Sequence, residues 1–107
     1  MQMNTMYLYA LGSLGGAEGD TFKVGESRTL EGVTKRHEEY DNRIEPIFVR
    51  AIWLLEENMK KNSDKIIHRY YRDKMPRKNR EWIRGISLEE LDETINSVFG
   101  PIVKRIQ

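Results

Sequence analysis

The stretch TMYLYAL at residues 5–11 decides the fold that we expect for this chain. It is rich in strand-forming residues and leads into a glycine-rich turn, GSLGG, at residues 12–16. The stretch TFKVG at residues 21–25 forms the next predicted strand, and the short separation favours antiparallel pairing with the first. The sequence therefore predicts that the chain begins with a β-hairpin.

One further strand and two helices are predicted after the hairpin. Residues 33–43 show helical spacing of their larger side chains, and Pro46 ends this helix. Residues 47–55 are nearly all apolar, which is typical of a buried strand. A second helix is expected at about residues 63–73, and its pattern leaves open an earlier start, near residue 56.

A capping-box sequence opens the last predicted helix. Ser87 stands three residues before Glu90, and apolar residues follow at helical spacing. We place this helix at about residues 87–106. The expected fold is α/β (α+β): a small three-stranded, mainly antiparallel sheet flanked by helices, plus a C-terminal amphipathic helix.

Length and composition narrow the class of protein. With 107 residues we expect one domain over residues 1–107, with its core at about residues 5–85. No apolar run approaches the roughly 20 residues that span a bilayer, so no membrane partner is expected. Cysteine is absent, which excludes disulfides and thiolate metal sites. The N-terminus lacks the pattern of a secretory signal, and we expect a cytoplasmic protein, or one in the host cytoplasm if it is phage-encoded.

Positive charge is concentrated in residues 58–86. This segment carries ten Lys or Arg and three Asp or Glu, although the net charge of the whole chain is only +1. Such a surface suits the phosphate backbone of a nucleic acid, but a solvated basic helix and loop would show the same charge. The predicted nucleic-acid-binding residues are Arg69, Arg72, Lys74, Arg77, Lys78, Arg80 and Arg84.

Short motifs along residues 5–85 resemble the GIY-YIG nuclease domain. The triplet at residues 7–9, Tyr-Leu-Tyr, stands where that family has Gly-Ile-Tyr, and residues 23–25, Lys-Val-Gly, stand in place of Tyr-Ile-Gly. The second motif is similar to that of a compact phage-type subgroup, which has Lys-Ile-Gly or Lys-Val-Gly. Arg36 matches the arginine of the first helix, and Glu81 matches a glutamate near the start of a later helix.

The chain also departs from the family pattern. Tyr7 replaces the first glycine, and Lys23 replaces the second tyrosine. The interval from Gly25 to Arg36 is longer than in many members. These differences leave Tyr9, Arg36 and Glu81 in place, and they make Lys23 the residue on which cleavage, as opposed to binding alone, is expected to depend.

The resemblance implies a metal-dependent endonuclease that hydrolyses DNA phosphodiester bonds with Mg²⁺ or Mn²⁺. Glu81 would be the metal ligand, since Mg²⁺ commonly takes one or two carboxylates together with waters. Arg36 would bind the scissile phosphate through its planar guanidinium. Tyr9 would orient or deprotonate the attacking water, helped by the positive charge of Lys23. The implied catalytic set is Tyr9, Lys23, Arg36, Tyr40, His68 and Glu81.

Each of these residues also has a purely structural interpretation. Tyr9 is an ordinary strand residue, Arg36 suits a solvated helix, and His68 next to two isoleucines suits a packing role. Trp53 and Trp82 are expected in the core. The alternative function is a non-catalytic nucleic-acid- or protein-binding module on a GIY-YIG-like fold, of phage or mobile-element type.

The expected partner is DNA, and the pattern does not distinguish DNA from RNA. The last helix would support the core or form a homodimer interface. The apolar tail at residues 102–106 is consistent with self-association and equally with closure of the core.

Overall fold

A computed structural model describes residues 5–13, 20–40, 46–56, 62–75 and 82–107. Its elements alternate between strands and helices, and none of these helices has the length and apolar character needed to cross a membrane. In chain order they are β1 (Met6–Gly12), β2 (Asp20–Ser27), α1 (Leu30–Tyr40), β3 (Phe48–Leu55), α2 (Ser63–Tyr70), a 3₁₀ turn (Arg72–Lys74), β4 (Trp82–Ile86), α3 (Leu88–Phe99), a second 3₁₀ turn (Gly100–Ile102) and β5 (Val103–Arg105).

The strands form one antiparallel sheet in the order β4-β2-β1-β3-β5. The predicted hairpin is confirmed, with Tyr9 opposite Gly25 and Leu11 opposite Lys23. The predicted number of three strands is wrong, because β4 pairs with β2 and β5 pairs with β3. Both additional strands are short and lie at sheet edges, so they lack the long apolar pattern that indicates a buried strand. The class of the fold is α+β.

The predicted helix cap at Ser87 is confirmed, because its Oγ accepts a hydrogen bond of 3.0 Å from the Glu90 backbone N–H. The helix ends at Phe99 and does not continue to residue 106. Gly100 has a φ of 63°, which glycine adopts without steric cost, and Pro101 follows it. The tail then turns back as β5 along β3, where the Ile106 N–H donates to the Ile52 carbonyl at 2.9 Å.

Alternation along β1 divides the apolar side chains between the two faces of the sheet. Leu8 and Ala10 belong to a core that includes Ile67 of α2 and Leu91 of α3, and we call this side the α2/α3 face. Trp53 is fully buried in the same core, as predicted, and its Nε1–H donates to Asp92 Oδ1 at 2.7 Å.

The opposite side of the sheet is covered by α1, and we call it the α1 face. Tyr9 and Leu11 of β1 pack there with Val33 of α1 and Ile52 of β3. Because the two faces are separated by the sheet, a side chain on one of them is screened from groups on the other. The α1 face carries Tyr9 of the first predicted motif, and Lys23 and Gly25 of the second.

Candidate active site on the α1 face

Tyr9 lies across Gly25 on the neighbouring strand. The two residues are directly opposite in the β1–β2 register, and the Tyr9 side chain is only 2% exposed. A Cβ atom added to Gly25 would lie 2.5 Å from Tyr9 Oη and 2.6 Å from Cζ. Real Cβ atoms do not approach other atoms so closely, so this orientation of the phenol requires glycine at position 25.

Lys23 connects β2 with the end of α1. Its side chain is 5% exposed, and Nζ donates a hydrogen bond to the Tyr40 hydroxyl. Nζ also lies 3.8 Å from the centroid of the Tyr40 ring, within the range of a cation–π interaction. A buried ammonium needs such partners, since its charge is costly to remove from water. The α1 face thus holds a cation at the position where the GIY-YIG motif, which the sequence resembles, has a tyrosine.

Trp82 completes the packing around Tyr40. It is the first residue of β4 and stands opposite Lys23 in the β2–β4 pairing. Its ring meets the Tyr40 ring edge to face, with centroids 6.3 Å apart and planes at 84°. The predicted core role of Trp82 therefore corresponds to a half-buried position beside the candidate site.

Arg36 lies one helical turn before Tyr40 and is largely exposed. Its Nη1 forms an ion pair of 3.1 Å with Glu39 Oε2. Electrostatic interaction with Tyr9 is the main influence that raises the pKa of the Arg36 guanidinium, and the Glu39 carboxylate acts in the same direction. Arg36 therefore lies within electrostatic range of Tyr9, and it carries a permanent positive charge at the solvent side of the site.

The structure brings four of the predicted catalytic residues together on one face and places a fifth elsewhere. Tyr9, Lys23 and Tyr40 lie on the α1 face, with Arg36 at its edge. His68 lies on α2, on the opposite side of the sheet, where its Nε2–H donates to the Val24 carbonyl at 2.7 Å. The structure thus does not place His68 beside the other four.

Glu81, the predicted metal ligand, lies outside the described residues. Within the ranges that the structure describes, no group of three or more His, Cys, Asp or Glu is arranged to hold a metal ion. The α1-face site presents the phenols of Tyr9 and Tyr40, the Lys23 ammonium and the Arg36 guanidinium. A metal ion bound there would depend on a carboxylate from another part of the chain.

The predicted nucleic-acid-binding residues are divided between the two sides of the sheet. Arg84 is exposed on β4 and, by strand alternation, shares the face of Trp82. Arg69 of α2 and the 3₁₀ residues Arg72 and Lys74 are exposed on the α2 side. Arg77, Lys78 and Arg80 lie outside the described ranges. Among the predicted nucleic-acid-binding residues that the structure describes, Arg84 thus flanks the candidate site.

An open groove of about 510 Å³ lies between the end of α2 and α3. Lys74 lines it together with acidic residues such as Glu90 and Glu93, and none of the predicted catalytic residues reaches it. The groove therefore lies on the opposite side of the sheet from the candidate site.

Glu26, which lies one residue after Gly25, is not among the residues predicted from the sequence. Its carboxylate accepts hydrogen bonds from Asn62 and Ser63 at the start of α2. No sequence signal within residues 20–27 identifies this contact, because Asn62 and Ser63 are 36 and 37 residues away in the chain.

Comparison with known proteins identifies a family for this chain. The family model described as the T5orf172 domain matches residues 6–99. No curated protein matches the chain, and no solved structure does. The matched range begins at the first residue of β1 and ends with the last residue of α3, so it contains every predicted catalytic position.

Proposed function

The chain belongs to the T5orf172 domain family, and on that premise we propose that it is a metal-dependent endonuclease that hydrolyses DNA phosphodiester bonds. The family is phage-type, and membership indicates a nuclease-like or DNA-binding module. The proposal of metal-dependent DNA cleavage is supported by the positions of Tyr9, Lys23 and Tyr40 on the α1 face, with Arg36 at its edge. These residues come from β1, β2 and α1, and their chemistry matches the needs of phosphodiester cleavage.

Arg36 is proposed to bind the scissile phosphate. Its exposed guanidinium is held by Glu39, a surface ion pair of the kind that contributes about 0–1 kcal/mol. A phosphate group can replace that carboxylate, and two of its oxygens can then accept two parallel N–H bonds from the guanidinium. Lys23 supplies a second positive charge from inside the site, and exposed Arg84 extends the cationic surface along β4.

Tyr9 is proposed to orient the attacking water and to accept its proton. The cationic neighbours Lys23 and Arg36 favour the phenolate form of a tyrosine, which makes the oxygen a better base. In the reaction, the water oxygen attacks phosphorus while its proton moves to Tyr9 Oη. The P–O bond to the leaving sugar oxygen breaks, and that oxygen takes a proton from solvent.

Glu81 is proposed to hold the divalent metal ion. Bound Mg²⁺ or Mn²⁺ would supply neutralisation of the phosphate charge and of the leaving oxygen. A single carboxylate suits Mg²⁺, which keeps several waters and takes further oxygens from the substrate phosphate. Trp82, which follows Glu81 in the chain, stands opposite Lys23 and packs on Tyr40, so the residue next to Glu81 borders the site.

The burial of Tyr9 and Lys23 favours a second candidate function. At 2% and 5% exposure, neither side chain presents its polar atom directly to a phosphate in the conformation observed. A module that binds DNA through Arg36, Arg84 and other surface cations, without cutting it, would need no such access. Cleavage therefore requires an opening of the α1 face that binding alone does not.

Nicking of a supercoiled plasmid tests the proposal. Purified wild type, Arg36→Ala and Glu81→Ala are incubated with the plasmid and Mg²⁺ or Mn²⁺, and Arg28→Ala is the matched control because Arg28 is another exposed arginine, close to the start of α1. We expect nicking by wild type and Arg28→Ala but not by the other two variants. DNA binding without nicking by wild type would support the binding module. Equal nicking by all four proteins would show that the site assignment is wrong.

A further inference from the structure

We propose that α2 is a clamp on the strand that carries Lys23 and Gly25, and that Glu26 and His68 are its positioning residues. The proposal rests on the proposed function in one respect, namely that Lys23 belongs to the active site. In this proposal His68 positions β2 and does not have the catalytic role predicted from the sequence. Glu26, for which the sequence predicts no role, is the second positioning residue. The clamp acts from the α2/α3 face, behind the site.

Glu26 joins the end of β2 to the start of α2 through three hydrogen bonds. Its Oε1 accepts from the Asn62 N–H at 3.0 Å, and its Oε2 accepts from the Ser63 N–H at 2.9 Å and from the Ser63 hydroxyl at 2.6 Å. The Asn62 side chain makes no capping hydrogen bond of its own. Glu26, on β2, thus caps the start of helix α2, and its negative charge also suits the helix N-terminus. Since Ser63 is only 1% exposed, its two hydrogen bonds to Glu26 are partly shielded from water, whereas the bond from Asn62 is exposed.

His68 makes the second attachment, about one and a half helical turns further along α2. Its Nε2 lies 2.7 Å from the carbonyl oxygen of Val24, between Lys23 and Gly25. A carbonyl oxygen only accepts, so this ring nitrogen carries the hydrogen. The two attachments together hold residues 24–26 of β2 against one helix.

The backbone of β2 transmits this attachment to the site. Val24 and Glu26 point to α2, whereas Lys23 and Gly25 point to the α1 face. Within the described residues, pairing of β2 with β4 extends only from Asp20 to Lys23, while pairing with β1 continues to Ser27. Among the residues that the structure describes, 24–26 have their sheet neighbour on the β1 side, and α2 supplies a further support. A shift of this segment would move both Lys23 and the glycine beneath Tyr9.

The environment of Asp64 shows how closely these groups are packed. Burial is the main factor that raises the pKa of the Asp64 carboxyl, and the nearby Glu26 carboxylate acts in the same direction, while His68 opposes them. Charged groups of β2 and α2 therefore meet at one junction, behind Lys23.

Variants of His68 test the clamp. His68→Gln keeps a donor N–H at a similar reach, whereas His68→Leu removes it. For His68→Leu we expect a loss of about tenfold to a hundredfold in the single-turnover cleavage rate, because small displacements of catalytic groups have effects of this size. Binding of the same DNA should change less than twofold. His68→Gln should recover most of the rate with a pH–rate profile of unchanged shape, and Glu93→Gln on α3 is the control.

Hydrogen exchange provides a readout that does not depend on cleavage. Amide exchange in residues 23–26 should accelerate in His68→Leu and also in Glu26→Gln, which replaces one acceptor oxygen by a donor, and it should not change in Glu93→Gln. If His68→Leu does not fold, Glu26→Gln carries this comparison.

The outcomes separate the clamp from the proposed function. Unchanged exchange in residues 23–26 would overturn the clamp. A His68→Gln variant that is as slow as His68→Leu, or that loses an ionisation from the pH profile, would instead assign His68 a direct acid–base role. If the wild type does not cleave DNA, the proposed function fails, while the exchange experiment still decides whether the clamp exists.

Discussion

The Lys23 ammonium donates a hydrogen bond to the Tyr40 hydroxyl and lies against the ring of the same residue. This contact joins β2 to the last residue of α1. It also means that Lys23, which stands where the GIY-YIG motif has a tyrosine, is buried and partnered, unlike a solvated surface lysine. Loss of the Lys23 charge should therefore affect the site itself and not only the surface potential.

Lys23→Met should lower the cleavage rate by about 10²–10³, the effect of removing one preorganised electrostatic contact to a transition state. Methionine keeps the apolar stem and removes the charge. Tyr40→Phe keeps the ring against the ammonium and should cause a smaller loss. Single-turnover nicking measures both rates, and Lys35→Met, an exposed lysine of α1, is the control. An unchanged rate in Lys23→Met would remove Lys23 from the mechanism.

Gly25→Ala should destabilise the protein by about 1–3 kcal/mol, because its Cβ would overlap the Tyr9 phenol. Urea unfolding of Gly25→Ala, Tyr9→Ala and the double variant measures the coupling, which should be at least about 0.5 kcal/mol. Gly85→Ala is the control. Its φ of 74° strains alanine, but no atom lies within 4 Å of the position that the new Cβ would take, so it should not couple to Tyr9→Ala. Additive effects at position 25 would contradict the clash.

Asp64→Asn should raise stability at neutral pH and lose that advantage in acid. The folded-state pKa of Asp64 is raised, mainly by burial, so the ionised carboxylate lowers the free energy of unfolding above that pKa. As the pH falls through the folded-state pKa towards the unfolded-state value of about 4, the carboxylate is protonated and this loss of stability disappears. Urea midpoints at pH 7 and at pH 4 or below measure the change. Glu38→Gln, at an exposed carboxylate of α1, should show no comparable gain, and a pH-independent gain in Asp64→Asn would contradict the assignment.

Arg84→Ala should weaken DNA binding to a similar degree on different sequences and reduce the salt dependence of binding by about one unit of slope. Arg84 is exposed on the edge strand that flanks the candidate site. Binding titrations over a range of salt concentrations measure the slope. Arg105→Ala, on β5 at the other edge of the sheet, is the matched control and should leave the slope unchanged. Equal effects of the two substitutions would show that DNA does not follow the β4 edge.

Local signals were sufficient for the features that depend on neighbouring residues. The hairpin of β1 and β2 follows from two strand-forming stretches and a glycine-rich turn, and the start of α3 follows from Ser87 and Glu90, three residues apart. The burial of Trp53 follows from the long apolar run around it. Each of these features depends mainly on a few consecutive residues and their backbone preferences.

Long-range pairing was not predictable in the same way. The short strands β4 and β5 are stabilised by partners far away in sequence, β2 and β3, and without that information the local pattern at residues 103–105 favours a helix. The side of the sheet on which His68 lies is likewise a result of packing. A helix can cover either face, and the pattern of its apolar residues is the same in both cases.

Residue identity and local geometry were enough to predict the order and chemical types of the candidate residues, the α+β class and the first hairpin. Packing was needed to place Tyr9, Lys23 and Tyr40 on one face with Arg36 at its edge, and to bring His68 and Glu26 into hydrogen bonds between β2 and α2 on the other. The physical reason is that strand alternation separates neighbouring side chains, whereas packing of α1 and α2 on opposite faces of the sheet brings distant ones together.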